Sequence, residues 1–91
     1  MAWIHVRHQV EEYAKWKSAF DQTEAYKRNH GWKRSQLFSV GGDRKDVLVM
    51  EEFETPDQAR SFLDSPFLLE AMASAGVSSA PEIQLLDELP V

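Results

Sequence analysis

Residues 33–57, KRSQLFSVGGDRKDVLVMEEFETPD, decide the fold. The run 33–40 has strand composition and ends at Gly41-Gly42-Asp43. Asp46 opens a second run, Val47-Leu48-Val49-Met50-Glu51-Glu52-Phe53. Two such runs joined by a short glycine-rich segment predict a β-hairpin. Thr55-Pro56-Asp57 then forms a helix start, with Thr as the cap and Pro at the first helical position, where its missing N–H costs nothing. A hairpin followed at once by a helix is the middle of a longer alternating order.

The flanks supply the rest. Upstream, residues 2–8 read as a strand. Ile4, Val6 and His8 share one face, and Trp3, His5 and Arg7 the other, because strand side chains alternate. Residues 11–30 read as one helix whose apolar stripe is Tyr13, Trp16, Phe20 and Thr23. Gly31 ends it. Downstream, Ser65-Pro66 repeats the helix-start signal and predicts a kink or restart. The segment with Phe67, Leu68, Leu69, Ala71, Met72 and Ala75 follows and stops at Gly76. Residues 77–81 are a loop, and Glu82–Glu88 alternates as a fourth strand. The order is β-α-β-β-α-β. Right-handed crossovers fold it into an α+β, ferredoxin-like unit, a four-stranded antiparallel sheet with its two helices on one face. The other face has no cover. Trp3, Leu48, Met50 and Leu86 project there, and an apolar sheet face on a small domain marks an interface. The expected partner is a second copy, giving a homodimer through the sheet face.

Composition narrows the function classes. Ninety-one residues make one domain, 1–91, with a marginal core of its own. Cysteine is absent, which removes disulfides and thiolate metal sites. No apolar run reaches the roughly 18–20 residues of a membrane span. The first residues carry His and Arg where a leader peptide would be apolar. These features lead us to expect a cytoplasmic protein that engages no membrane. The net charge of −5 argues against nucleic acid as a partner. Charge is segregated: residues 1–45 hold nine Lys/Arg against five Asp/Glu, and residues 46–91 hold one against ten. Such segregation either follows solvated faces or biases an interface or pocket toward one sign of ligand.

The whole chain resembles the small dimeric α/β-barrel proteins related to antibiotic-biosynthesis monooxygenases, including short bacterial members described as cyclase-like. The residues that carry this likeness are Val6-Arg7-His8, Glu12-Tyr13-Ala14-Lys15-Trp16, Glu52-Phe53, Ser65-Pro66, Ala71-Met72, Ala75-Gly76-Val77 and Pro81. The resemblance implies a ligand cleft between sheet and helices, and pairing into a dimeric α/β barrel. One branch of that superfamily degrades haem with an Asn on the first strand, a Trp ending the third and a His in the second helix. Phe53 and Met72 stand where that Trp and His would, and the first strand lacks Asn, so haem chemistry is disfavoured.

Candidate chemistry then rests on few residues. His5 and His8 point to opposite faces and cannot chelate one metal together, and no other converging ligand set is seen. His8 faces the cleft, where it is either a structural histidine or an acid/base. Glu51 shares a face with Val47, Val49 and Phe53. An apolar setting would raise its pKa and make it a base, unless it pairs with a helix lysine. On the other face Arg7 is expected to pair with Glu52. Tyr13, Trp16, Phe20, Phe62 and Phe67 recur at helical spacing and are core residues first, and a substrate cleft would be lined by Tyr13, Trp16, Phe53, Phe62, Phe67 and Met72. Two functions follow. One is a monooxygenase or cyclase, needing neither metal nor flavin, that acts on a small aromatic or polyketide-like molecule with His8 or Glu51 moving the proton. The other is a non-catalytic dimeric protein that binds a small ligand. A pocket of roughly 300 Å³ or more, with His8 and Glu51 both aimed inward, would favour the first.

Overall fold

The computed structural model describes residues 2–91. Its elements are β1 (Ala2–Gln9), α1 (Tyr13–Asp21), α2 (Glu24–Arg28), β2 (Trp32–Val40), β3 (Asp43–Phe53), α3 (Pro56–Asp64), α4 (Pro66–Ser74) and β4 (Glu82–Asp87). The strands form one antiparallel sheet in the order β2-β3-β1-β4. The fold is the ferredoxin-like α+β arrangement, with every helix on one face.

Strand alternation divides that sheet cleanly. Ala2, Ile4, Val6 and His8 of β1 and Val47, Val49, Glu51 and Phe53 of β3 all face the helices and are buried. Trp16, Ala59, Phe62, Met72 and Ala75 close over them. Phe53 and Ile4 are wholly buried, and the Phe53 and Phe62 rings meet at 5.3 Å.

The first helical segment is shorter than expected and broken. Residues 10 and 11 stay outside the helix because Val10 N–H donates to Lys45 O (2.8 Å) and Glu11 N–H to Gly76 O (3.0 Å). The break at Gln22-Thr23 has a local cause. Both the Thr23 amide (3.1 Å) and its hydroxyl (2.7 Å) donate to the Phe20 carbonyl, so the side chain competes for the helical acceptor. The third strand begins at Asp43 rather than Asp46. Gly41 and Gly42 take φ of +61° and +80°, which closes a two-residue turn with Val40 opposite Asp43. The restart at Ser65-Pro66 is present: Ser65 caps α4, its Oγ accepting from Phe67 N–H.

The open face carries Trp3, Leu48, Met50 and Leu86, each half-buried. Its ion pairs differ from expectation. Arg7 stands opposite Leu48, while Glu52 stands opposite Trp3, four residues and about 13 Å away along the strand. Arg7 instead takes its diagonal neighbour Asp46 with two bonds (3.1 and 2.9 Å), and Glu52 takes Arg34 on β2 (3.1 Å).

Thr55 and Gln58 form a reciprocal capping box at the start of α3. Gly31 lies against it with φ +83°, and a Cβ there would clash with the Gln58 side-chain amide. Thr55→Ala is therefore expected to cost about 1 kcal/mol in urea denaturation. Gly31→Ala should cost more, because it displaces Gln58 and also strains the backbone.

Candidate functional site

The site is built around His8, at the end of β1 on the helix face. Its strand position aims the imidazole under α1, edge-on to Trp16 with ring centroids 5.7 Å apart. His8 is 4% exposed, and neither ring nitrogen has a hydrogen-bond partner among the described residues. Burial pushes its pKa below the usual imidazole value. The ring is therefore held neutral, with one basic nitrogen unengaged.

His8 borders a narrow cavity of about 60 Å³, room for a few water-sized groups. Apart from Thr23, the rest of the cavity wall is apolar. Of the residues expected at a cleft, it includes Trp16, Phe62, Phe67 and Met72. The small side chains of Ala19, Ala71 and Ala75 open it, and Phe20 and Leu68 narrow it. Ala19, Thr23, Phe67 and Ala71 also line an outer vestibule of about 300 Å³ between α1 and α4. Its rim is polar: Gln22, Glu70 and Ser74. Phe67 borders both spaces. It stacks on Tyr26 at 3.8 Å, and the Tyr26 hydroxyl bonds Ser65 Oγ.

Three expected site residues lie outside this cavity. Phe53 belongs to the core beneath α3. Tyr13 stacks on the outer side of Trp16, at 5.9 Å, and borders a different groove. Glu51 stands opposite Ile4, while His8 stands opposite Val47, so the two are about 13 Å apart along the sheet. Glu51 is fully engaged. Its Oε1 accepts from Lys27 Nζ (3.2 Å) and its Oε2 from the Ser35 hydroxyl (2.6 Å), which in turn accepts from Trp32 Nε1 (3.0 Å). Burial raises the Glu51 pKa and lowers that of Lys27, each against the attraction of its partner. The Lys27 ammonium lies 3.8 Å over the Phe20 ring. Lys27 was legible in principle: it continues the 13-16-20-23 stripe by one more step, a charged residue on an apolar face.

Among the described residues, no group of three or more His, Asp or Glu side chains is placed to hold a metal ion. No helix is long and apolar enough to cross a membrane.

This geometry, a sheet with a cleft under helices, is the fold of the antibiotic biosynthesis monooxygenase proteins. SnoaB, a cofactor-independent oxygenase from Streptomyces nogalater, matches with a TM-score of 0.78 and 19% identity, over 99% of this chain and 94% of its own. A protein of Bordetella bronchiseptica, provisionally named an antibiotic biosynthesis monooxygenase, matches at 0.78 and 13% identity over 98% and 97%. A Nitrosomonas europaea protein with the same provisional name matches at 0.74 and 14% over 99% and 100%. At these identities the likeness is one of fold. The chain matches no protein-family model and no curated protein sequence.

The lowered His8 pKa has a stability consequence. Between the folded value and the unfolded value of about 6.5, the unfolded chain binds a proton that the folded one refuses. Stability from this group is complete above about pH 6.5 and falls as pH drops toward the folded pKa. Urea melts across that window should show a steeper acid-side loss for the wild type than for His8→Leu.

Proposed function

We propose that the chain is a monooxygenase-like enzyme that takes a proton from a small aromatic or polyketide-like carbon acid, with His8 as the base. The observation that carries this reading is the buried His8 imidazole, without a hydrogen-bond partner among the described residues, bordering a largely apolar cavity. Unsatisfied buried polar atoms are rare in native proteins and call for a role. The wall is apolar apart from Thr23, and Ala19, Thr23, Phe67 and Ala71 are shared with the vestibule between α1 and α4. The fold shared with SnoaB supports the same class of chemistry by analogy.

The step needs oxygen and the substrate's own electrons. His8 removes one proton from an activated CH2 carbon, leaving a carbanion. The carbanion reduces O2 and joins it as a peroxide, which the imidazolium protonates. Loss of the second C–H proton then expels hydroxide and leaves a carbonyl. One oxygen atom stays in the product and the other leaves as water. Glu51, tied to Lys27 and Ser35, holds β2, β3 and α2 together and takes no proton in this scheme.

The cavity as it stands is smaller than an aromatic ring requires, and Glu51 does not enter it. Those two facts favour the second reading, a protein that binds a small ligand without turning it over. Oxygen uptake with anthrone, an aromatic carbon acid, separates the two. Turnover that falls by about 10²–10⁴ in His8→Gln supports the enzyme. Unchanged turnover in that variant, or anthrone binding with no oxygen consumed by the wild type, overturns it.

We also propose that the chain pairs as a homodimer through the open sheet face. Trp3, Leu48, Met50 and Leu86 need cover there, and His5 Nδ1 on the same face is buried with no partner among the described residues. Light scattering at micromolar concentration should give a dimer mass, and Met50→Glu, which places a charge in the middle of that face, should give a monomer. A monomeric wild type refutes the pairing.

A further inference from the structure

We propose that the groove between α1 and the β2–β3 hairpin is a second binding site, independent of the His8 chemistry, for a small aromatic carboxylate. The groove has a volume of about 170 Å³ and is lined by Tyr13, Leu37, Phe38, Ser39, Arg44 and Val47. None of these residues lines the His8 cavity.

The chemistry of the lining selects the ligand. Arg44 takes part in none of the five salt bridges among the described residues. Its sequence neighbour Asp43 turns its carboxylate to the Lys45 amide instead (2.9 Å). The Arg44 guanidinium lies 5.0 Å over the Tyr13 ring, which leaves its N–H edge for a ligand. Tyr13 and Ser39 add hydroxyl groups able to donate. No Asp or Glu lines the groove, so the site offers donors with no charged acceptor. The planar fork of arginine fits a carboxylate with two parallel bonds. Leu37 and Val47 supply apolar side-chain surface for the flat body of the same molecule, while Phe38, opposite Leu48, turns its ring to the open sheet face. The volume lies below the 300–1,000 Å³ of sites for drug-sized ligands, which points to a single ring with its acid group.

Charge segregation in the sequence supports the sign. All but Val47 of the lining comes from residues 1–45, the half with a net charge of +4. The vestibule leading to His8 carries Glu70 at its rim and no cation. The two openings on the helix side therefore favour opposite signs of ligand.

Titration of the isotope-labelled protein with benzoate, followed by amide shifts, tests the site. Saturable shifts at Tyr13, Ser39, Arg44 and Val47 are expected, with Ala19, Phe67 and Ala71 unmoved. Benzyl alcohol, with the same ring and no charge, should bind about tenfold more weakly, and Arg44→Gln should weaken benzoate by a similar factor. Arg44 is exposed at the start of β3, so its replacement leaves the core intact, which an unchanged spectrum elsewhere verifies. Shifts that never saturate overturn the proposal, as do shifts reproduced by inorganic phosphate alone, shifts centred on Ala71, or an affinity indifferent to Arg44→Gln.

Discussion

The antiparallel pairing of β1 with β3 is the constraint on which the other features rest. Once Ile4 stands opposite Glu51, His8 must stand opposite Val47, and every other residue of both strands is assigned to a face. A slip of β1 by one position would turn Ile4 and Val6 outward and bring Trp3 and Arg7 into the core. The same pairing keeps the two buried titratable groups of the helix face at opposite ends of it. That separation gives each a distinct environment under one layer of helices.

Those environments differ in how the cost of burial is met. Glu51 and Lys27 lose their hydration but gain each other, and Ser35 and Trp32 complete the network. Such a pair holds a geometry more than it adds stability, because attraction and desolvation nearly cancel. His8 meets the cost by staying neutral and forms no hydrogen bond among the described residues. A satisfied group is a fixture, whereas an unsatisfied one has bonding capacity left for a ligand.

Much of this was readable from residue order. The alternation in Val47–Phe53 and the signals Gly41-Gly42, Thr55-Pro56 and Ser65-Pro66 are local, and local rules place the hairpin and both helix starts. The stripe of Tyr13, Trp16, Phe20 and Thr23 marks which side of α1 turns inward. The break at Thr23 was not readable, because a hydroxyl's competition for one carbonyl leaves no trace in periodicity. The Arg7–Asp46 pairing was missed for another reason: parity names the face but not the position along it, and strand offset decides which carboxylate is within reach. The cavity was legible only in part. Aromatics at helical spacing locate its wall, but the absence of side-chain volume at Ala19, Ala71 and Ala75 creates the space, and small residues on a helix give no distinctive signal.

The central place of β1 also bears on how the chain reaches its native state. The β2–β3 hairpin needs only a two-residue turn to form, and the helices close locally. Strand β1 must be captured on both sides, by β3 and by β4, and the second pairing brings Ala2 against Asp87. Joining such distant segments carries a large loop-closure entropy, recovered only when the core is nearly complete. Until then Val6, Val47 and Val49 lie uncovered on strands with free edges. A half-assembled sheet still lacking β1 would be, rather than the finished fold, the species most prone to associate wrongly.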